Sequence, residues 1–231
     1  MQERVIKVWD LPLRLFHWTL AALVAAAVVS VKIGGNAMVW HGRFGQLIVG
    51  LIVFRIVWGL IGSRTARFAS FVRGPGAIRD YLAGRWAGVG HNPMGALSAL
   101  ALIGLIAFQA GSGLFAHDDV AFSGPMAPMV SGDTVSLLSG WHRLTEWWIY
   151  GLVALHVAAV LHHTLAKKDR LVGPLITGRK AVPADDARYR ENEGGGALRF
   201  VVALAVAVLA VWATSGALNP PPPPPPADLG W

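Results

Sequence analysis

Residues 140–163, GWHRLTEWWIYGLVALHVAAVLHH, form an apolar segment in which His142 and His156 stand fourteen residues apart. On a helix that rises ~1.5 Å per residue, fourteen residues span ~21 Å and complete almost four turns, so the two imidazoles share a face. Ionisable side chains at membrane depth are costly and are usually functional. The spacing therefore predicts two ligand-binding positions near opposite edges of a bilayer.

The composition of the whole chain is that of an integral membrane protein. It has 231 residues, of which 54% are hydrophobic and 14% charged, and its mean hydropathy is +0.50, which is too apolar for an ordinary soluble domain of this length. A helix needs roughly twenty residues to cross ~30 Å of hydrocarbon. Five stretches qualify: 11–33, 41–61, 94–115, 142–165 and 197–218. We expect an all-α membrane protein with five helices and little else.

Basic residues predict the orientation, because lysine and arginine accumulate in cytoplasmic loops. They concentrate in the amino-terminal segment, in the second loop and in the fourth loop, whereas Lys32 is the only one between the first two spans and there is none between the third and fourth. The amino terminus should therefore be cytoplasmic and the carboxyl terminus periplasmic, in a bacterial inner membrane. Cations spread in this way face anionic lipid and do not indicate nucleic-acid binding.

Two features limit the kind of redox centre and the processing of the chain. The sequence contains no cysteine, which excludes c-type haem attachment, thiolate-bound iron–sulfur clusters and disulfides. The first thirty residues could also be read as a cleaved signal peptide. The apolar run contains His17, however, and continues past its small residues, which favours a membrane span.

Two more histidines complete the pattern. His41 begins the second predicted span and His142 the fourth, both on the outer side, while His17 and His156 lie some way in from the cytoplasmic side. In a helical bundle each level then supplies two facing imidazoles. Two imidazoles saturate a haem iron and leave no site for dioxygen, which favours electron transfer. We predict two haems, ligated by His41 with His142 and by His17 with His156; the alternative is polar packing without haem.

Four arginines near these histidines could neutralise haem propionates. They are Arg14, Arg43, Arg55 and Arg143. For three of them snorkelling to the interface is an equal alternative. Arg55 is too deep for that, since it lies between Phe54 and Ile56, and we expect it to bind a propionate or a quinone.

His162 and His163 stand near the cytoplasmic end of the fourth span. They are either surface histidines or part of a quinone site, where an imidazole suits proton exchange at neutral pH.

The regions outside the spans carry further predictions. Residues 77–86 should form a short helix on the cytoplasmic membrane surface, and the acidic outer loop 116–140 could form a docking surface. Residues 181–196 are expected to be a flexible cytoplasmic linker. The prolines at 220–226 should form a polyproline rod within a tail at 219–231 that can reach a partner.

These residues resemble the bacterial di-haem b-type cytochromes of the cytochrome b561 class, which include the membrane cytochrome subunits of nickel–iron hydrogenases. The likeness covers about residues 8–180 and rests on LPLRLFHW at 11–18, WHGRFG at 40–45, FVRGP at 71–75, GHNPMG at 90–95, and WH at 141–142 with ALHVAAVLHH at 154–163. The resemblance implies a four-helix bundle that holds two haems b from its first, second and fourth helices and exchanges electrons with quinone. The fifth span, the proline run and Trp231 depart from it.

We therefore expect residues 1–180 to conduct electrons between the quinone pool and an outer redox partner, either a periplasmic cytochrome c or a dehydrogenase or hydrogenase subunit. The protein should be an electron-transfer subunit of an oxidoreductase more than an independent enzyme. One alternative, from members of the same class, is a stand-alone superoxide:quinone oxidoreductase. Another is a membrane anchor that assembles a complex through the fifth span and residues 220–231.

Overall fold

The computed structural model describes residues 2–86, 88, 90–120, 122–184, 189 and 191–221. The elements in chain order are β1 Glu3–Lys7, α1 Leu11–Ile33, α2 Ala37–Ile61, α3 Phe68–Phe71, α4 Pro75–Leu82, α5 Pro93–Gly113, a 3-10 turn at Ala127–Met129, α6 Gly132–Leu165, α7 Val172–Thr177, β2 Arg179–Pro183 and α8 Ala197–Ala213. Within the described residues four helices are long and apolar enough to cross a membrane: α1, α2, α5 and α6. The predicted class of an all-α membrane bundle is confirmed.

Side-chain caps fix where the membrane helices begin. Asp10 accepts a hydrogen bond from the Leu13 amide at 2.9 Å and Asn92 accepts one from the Gly95 amide at 2.7 Å, and both caps are followed by a proline in the first turn. Ser131 caps α6, whose first residue, Gly132, lies ten residues before the predicted start of the span. The helix is longer than the predicted span because residues 132–141 are less apolar and precede it, so His142 lies almost three turns inside α6.

Helix α2 is the centre of the bundle. It packs closely along α1, α5 and α8, and α5 packs closely along α6. Buried side chains of α2 join two apolar clusters, one with α1 and α8 around Trp58 and one with α1 and α5 around Ile52. In the part of the chain that the structure describes, α6 does not pack closely along α1 or α2. A slot therefore separates α6 from these two helices.

Helix α8 covers the opposite side of α2 and runs antiparallel to it. The Phe200 ring lies 6.2 Å from Trp58, and near the other end the Gln46 amide donates to the Thr214 carbonyl at 3.2 Å. The helix has 17 residues and is ~25 Å long, so the predicted helix at 197–218 is wrong in length, because turns replace it after Ala213. Asn219 then donates to the Pro125 carbonyl at 2.7 Å. Most of the predicted polyproline rod and tail, from Pro222 to Trp231, lies outside the described residues.

A small antiparallel sheet contradicts the expectation of helices and little else. β1 pairs with β2 from Glu3 opposite Pro183 to Lys7 opposite Arg179. The predicted flexible linker is also partly wrong, since its residues 181–183 belong to β2. Further along, the buried Asn192 donates to the Val8 carbonyl at 3.2 Å and to the Thr65 hydroxyl at 2.7 Å. These contacts gather the amino terminus, the second loop and the fourth loop on one side of the bundle.

Candidate functional site

His41 and His142 face each other across the slot, one from α2 and one from α6. Their ring centroids are 6.0 Å apart and the ring planes differ by 82°. The Nδ1 of His41 lies 2.9 Å from the Ala27 carbonyl, and the Nδ1 of His142 lies 2.9 Å from the Gln109 carbonyl. A carbonyl can only accept, so each Nδ1 carries the proton and each Nε2 keeps a free lone pair. Metal-binding histidines are usually oriented by such a hydrogen bond.

His17 of α1 and His156 of α6 form a second facing pair. Their ring centroids are 6.4 Å apart with 46° between the planes. Both side chains are half-buried, and among the described residues nothing hydrogen-bonds to the buried Nδ1 of His17. The structure thus brings together both of the pairs that the sequence predicted.

The separation within each pair fits one metal ion between two imidazoles. A metal–imidazole bond is about 2 Å long, and the ring centre lies about 1 Å behind the nitrogen, so two rings on opposite sides of one ion have centroids about 6 Å apart. The observed 6.0 and 6.4 Å agree with this value. At the outer pair both Nε2 atoms are acceptors, so direct packing of these two imidazoles would satisfy neither.

A cavity of about 260 Å³ lies beside the outer pair, between α1, α2, α5 and α6, and both His41 and His142 line it. A side chain on Gly45 would meet nothing within 4 Å, so this stretch of α2 leaves open space along the cavity. At Gly113 a Cβ would come within 2.8 Å of the His142 ring. This glycine therefore lets the imidazole lie against α5. The cavity and the two facing imidazoles of the outer pair suit a flat macrocycle that carries iron, and the inner pair offers the same two imidazole donors.

The four predicted arginines are placed differently from one another. Arg143 lines the outer cavity. The Arg43 guanidinium lies 4.8 Å above the Trp40 ring, and Arg14 donates to the Ile176 carbonyl of α7. These two residues thus have contacts away from the histidine pairs.

Arg55 is almost fully buried, with 2% of its surface exposed. It donates to the Ala66 carbonyl at 3.1 Å and lies 4.6 Å from the centre of the Phe68 ring. In the structure it holds the second loop against α2, a role that the sequence pattern did not indicate.

Two polar groups beside the outer pair were missed. The Gln109 amide donates to the His142 carbonyl at 3.0 Å, and its Oε1 accepts from the Thr145 hydroxyl. Glu146 lines the cavity and forms an ion pair with Lys32 at 2.7 Å that joins α6 to α1. The available signal was one amide in the otherwise apolar third span and one carboxylate at membrane depth.

The two remaining predicted histidines differ in environment. His162 is exposed, whereas His163 is half-buried and its Nε2 lies 2.9 Å from the Tyr81 hydroxyl of α4.

His91, in the loop before α5, is enclosed by aromatic rings. Its ring centroid lies 4.4 Å from Phe71 and 4.8 Å from Trp9. The pKa of this imidazole is lowered to about 3, mainly by burial and to a smaller extent by the nearby positive charge of Arg55 and the proximity of His17. His91 is therefore neutral at physiological pH.

A multi-pass helical bundle with facing histidine pairs in an apolar slot is the arrangement of a membrane b-type cytochrome. The chain belongs to the prokaryotic cytochrome b561 family, whose model matches residues 8–178. As a member of this family it binds haem b and takes part in membrane electron transfer.

Curated relatives carry similar descriptions. The chain is 22% identical to the probable Ni/Fe-hydrogenase 1 B-type cytochrome subunit of Escherichia coli K12, over 75% of this chain and 90% of that protein. It is 22% identical to the probable Ni/Fe-hydrogenase B-type cytochrome subunit of Azotobacter chroococcum, over 77% of this chain and 89% of that protein. It is 25% identical to the protein of the same description from Cupriavidus necator, over 74% and 85%. No solved structure gives a significant match.

Proposed function

We propose that the protein carries electrons across the bacterial inner membrane through two bis-histidine haems b. His41 and His142 would hold the outer haem, and His17 and His156 the inner one. The observation that carries the proposal is the presence of two facing imidazole pairs, 6.0 and 6.4 Å apart, at two depths of one slot. Along α6 the two depths are ~21 Å apart.

The residues of the chain have defined tasks in this proposal. Haem, when bound, supplies a one-electron redox centre, and two imidazoles on one iron leave no open position for oxygen chemistry. The carbonyls of Ala27 and Gln109 fix the tautomer and orientation of the outer histidines. We assign Arg143 to a propionate of the outer haem because it lines the cavity. Arg14, Arg43 and Arg55 would need to exchange their present contacts to do the same.

We propose quinone as the exchange partner on the side where the basic segments meet, which we take as the cytoplasmic side. The periplasmic side would then hold the outer haem and a protein partner. A hydrogenase subunit is the first candidate, because the curated relatives are described as hydrogenase cytochrome subunits. A periplasmic cytochrome c is the second. Helix α8 would make a fifth crossing, since it packs along α2. The residues after α8 also contact Pro125 of the outer loop.

Liposomes test the transmembrane step. The haem-loaded full chain is reconstituted with ferricyanide trapped inside, and membrane-impermeant dithionite is added outside. We expect the trapped ferricyanide to be reduced much faster than in protein-free liposomes. His142→Ala, which removes one ligand of the outer haem, should return the rate to the protein-free level. A wild-type rate equal to that of empty liposomes would contradict the proposal.

Two further measurements separate the alternative functions. Rapid reduction of the haems by superoxide without any partner would support the stand-alone oxidoreductase. Loss of partner co-purification after removal of residues 197–231, with haem-to-haem transfer intact, would assign the carboxyl-terminal part to assembly.

A further inference from the structure

Tyr81 of α4 and His163 of α6 form a hydrogen-bonded pair on the side of the bundle where the basic segments meet. The Tyr81 hydroxyl and the His163 Nε2 are 2.9 Å apart, and the two rings are nearly parallel, with 13° between their planes. The Lys167 ammonium lies 3.4 Å from the same hydroxyl. Because an ammonium group can only donate, it uses the oxygen of Tyr81 as acceptor and leaves the hydroxyl proton to point at Nε2.

The Nδ1 on the other side of the His163 ring lacks a hydrogen-bond partner among the described residues. Since Nε2 accepts from Tyr81, a neutral imidazole carries its proton on Nδ1. This Nδ1 and the neighbouring Thr164 hydroxyl are buried, and neither has a hydrogen-bond partner among the described residues. A buried donor without a partner is unfavourable, because it has lost its hydrogen bond to water. The two groups therefore favour a ligand with acceptor oxygens.

The surroundings indicate how such a ligand would arrive and what it would exchange. Leu161 and Leu165 are 52% and 73% exposed, so this part of α6 faces lipid. His163 follows His156 by seven residues, which places it ~10 Å along the helix on nearly the same face. An apolar molecule with carbonyl oxygens would reach His163 from the bilayer and lie close to the inner histidine pair.

We propose that Tyr81, His163 and Lys167 form the proton relay of a quinone site, an inference that rests on the proposed function. Reduction of a quinone to a quinol takes two protons and two electrons, and a haem held by His17 and His156 would supply the electrons. For each proton, Nδ1 of His163 gives its hydrogen to a quinone oxygen while the Tyr81 hydroxyl proton moves to Nε2. The Lys167 ammonium stabilises the resulting phenolate, the Nε2 proton then returns to the Tyr81 oxygen, and a proton from solvent replaces the one that Nδ1 gave to the quinone.

Other charged groups near His163 do not replace Lys167 in this role. Asp169, Lys180 and His162 are within electrostatic range of the imidazole. Asp169 and Lys180 neutralise each other in an ion pair at 2.8 Å, and His162 is exposed. Lys167 is the charged group that contacts the Tyr81 hydroxyl itself.

The test is stopped-flow reduction of the haems by decylubiquinol, or by menadiol in parallel, in the haem-loaded full chain. Quinol oxidation uses the relay in reverse. Positioned proton transfer contributes ~10²–10⁴-fold to rate. We expect His163→Asn and Tyr81→Phe, which keeps the stacked ring, each to slow reduction by about 100-fold. His162→Asn is the matched control and should behave as wild type.

Chemical rescue distinguishes a relay from a structural contact. Added imidazole should restore quinol-driven reduction in His163→Gly and leave the wild-type rate unchanged. Haem content, midpoint potentials and reduction by dithionite should be the same in all variants. Wild-type rates in Tyr81→Phe and His163→Asn, or loss of haem from them, would overturn the relay. Failure of the quinols to reduce the wild-type haems would instead contradict the proposed function.

Discussion

At the scale of single residues, the outer site depends on how α5 holds His142. The backbone carbonyl of Gln109 accepts from the His142 Nδ1, and the side-chain amide of Gln109 donates to the His142 backbone carbonyl at 3.0 Å. Gly113 leaves room for the imidazole ring. One side chain therefore connects the third membrane helix to a ligand on the fourth. The sequence could place His142 by depth, but a backbone carbonyl occurs at every residue, so this partner could not be predicted.

Gln109→Leu should loosen this connection. It removes the side-chain hydrogen bonds to the His142 carbonyl and the Thr145 hydroxyl, while the backbone carbonyl of residue 109 remains as acceptor for the His142 Nδ1. Side-chain hydrogen bonds between membrane helices contribute about 1 kcal/mol, so we expect a loss of about that size in the free energy of unfolding in detergent. The optical spectrum of the outer haem should change in the same variant. Unchanged stability and spectrum would show that Gln109 does not support the site.

The buried His91 should make the stability of the protein depend on pH. Its pKa is lowered from 6.5 to about 3 in the folded protein, so the unfolded chain binds more protons between these values and stability falls as the pH drops below 6.5. From pH 7.5 to pH 5, wild type should lose about 2 kcal/mol more than His91→Phe. Denaturant unfolding in detergent at the two pH values measures the difference. Equal losses in both proteins would mean that His91 is free to ionise.

At the scale of elements, α8 depends on a close approach to α2 at Gly50. A Cβ on Gly50 would lie 2.6 Å from Val211, and the buried Ala203 and Ala207 continue the contact. Small residues allow close packing of membrane helices.

Gly50→Leu should push α8 away from α2. We expect a loss of about 1–3 kcal/mol in the free energy of unfolding, as for other overpacked sites. Gly104→Leu is the control, because a Cβ at Gly104 meets nothing within 4 Å. Adding Val211→Ala to Gly50→Leu should recover part of the loss. Equal effects of the two glycine substitutions would contradict the packing of α8.

Some of these helices and strands could be predicted from the sequence and others could not. The membrane helices could be predicted because twenty apolar residues in a row have few other stable states in a bilayer. β1 and β2 could not, since their partners lie more than 170 residues apart and each strand has five residues. The first ten residues of α6 were missed because they are too polar for a hydropathy criterion, although Ser131 is a good helix cap.

At the scale of the whole molecule, the slot between α6 and the pair α1 and α2 organises the site. Matched depth predicted that His41 would meet His142 and His17 would meet His156, and the structure has both pairs. Depth alone could not predict the contacts of the arginines, because a long flexible side chain can reach several different partners. Arg55 is an example, since it donates to the Ala66 carbonyl and packs over the Phe68 ring.

The central claim is that each histidine pair holds its own haem. The most direct test is the haem-to-protein ratio of the purified full chain by the pyridine haemochrome assay, in wild type, His142→Ala, His156→Ala and the double variant. We expect two haems b per chain in wild type, one in each single variant and none in the double variant. A ratio of one in wild type, or retention of both haems in either single variant, would contradict it.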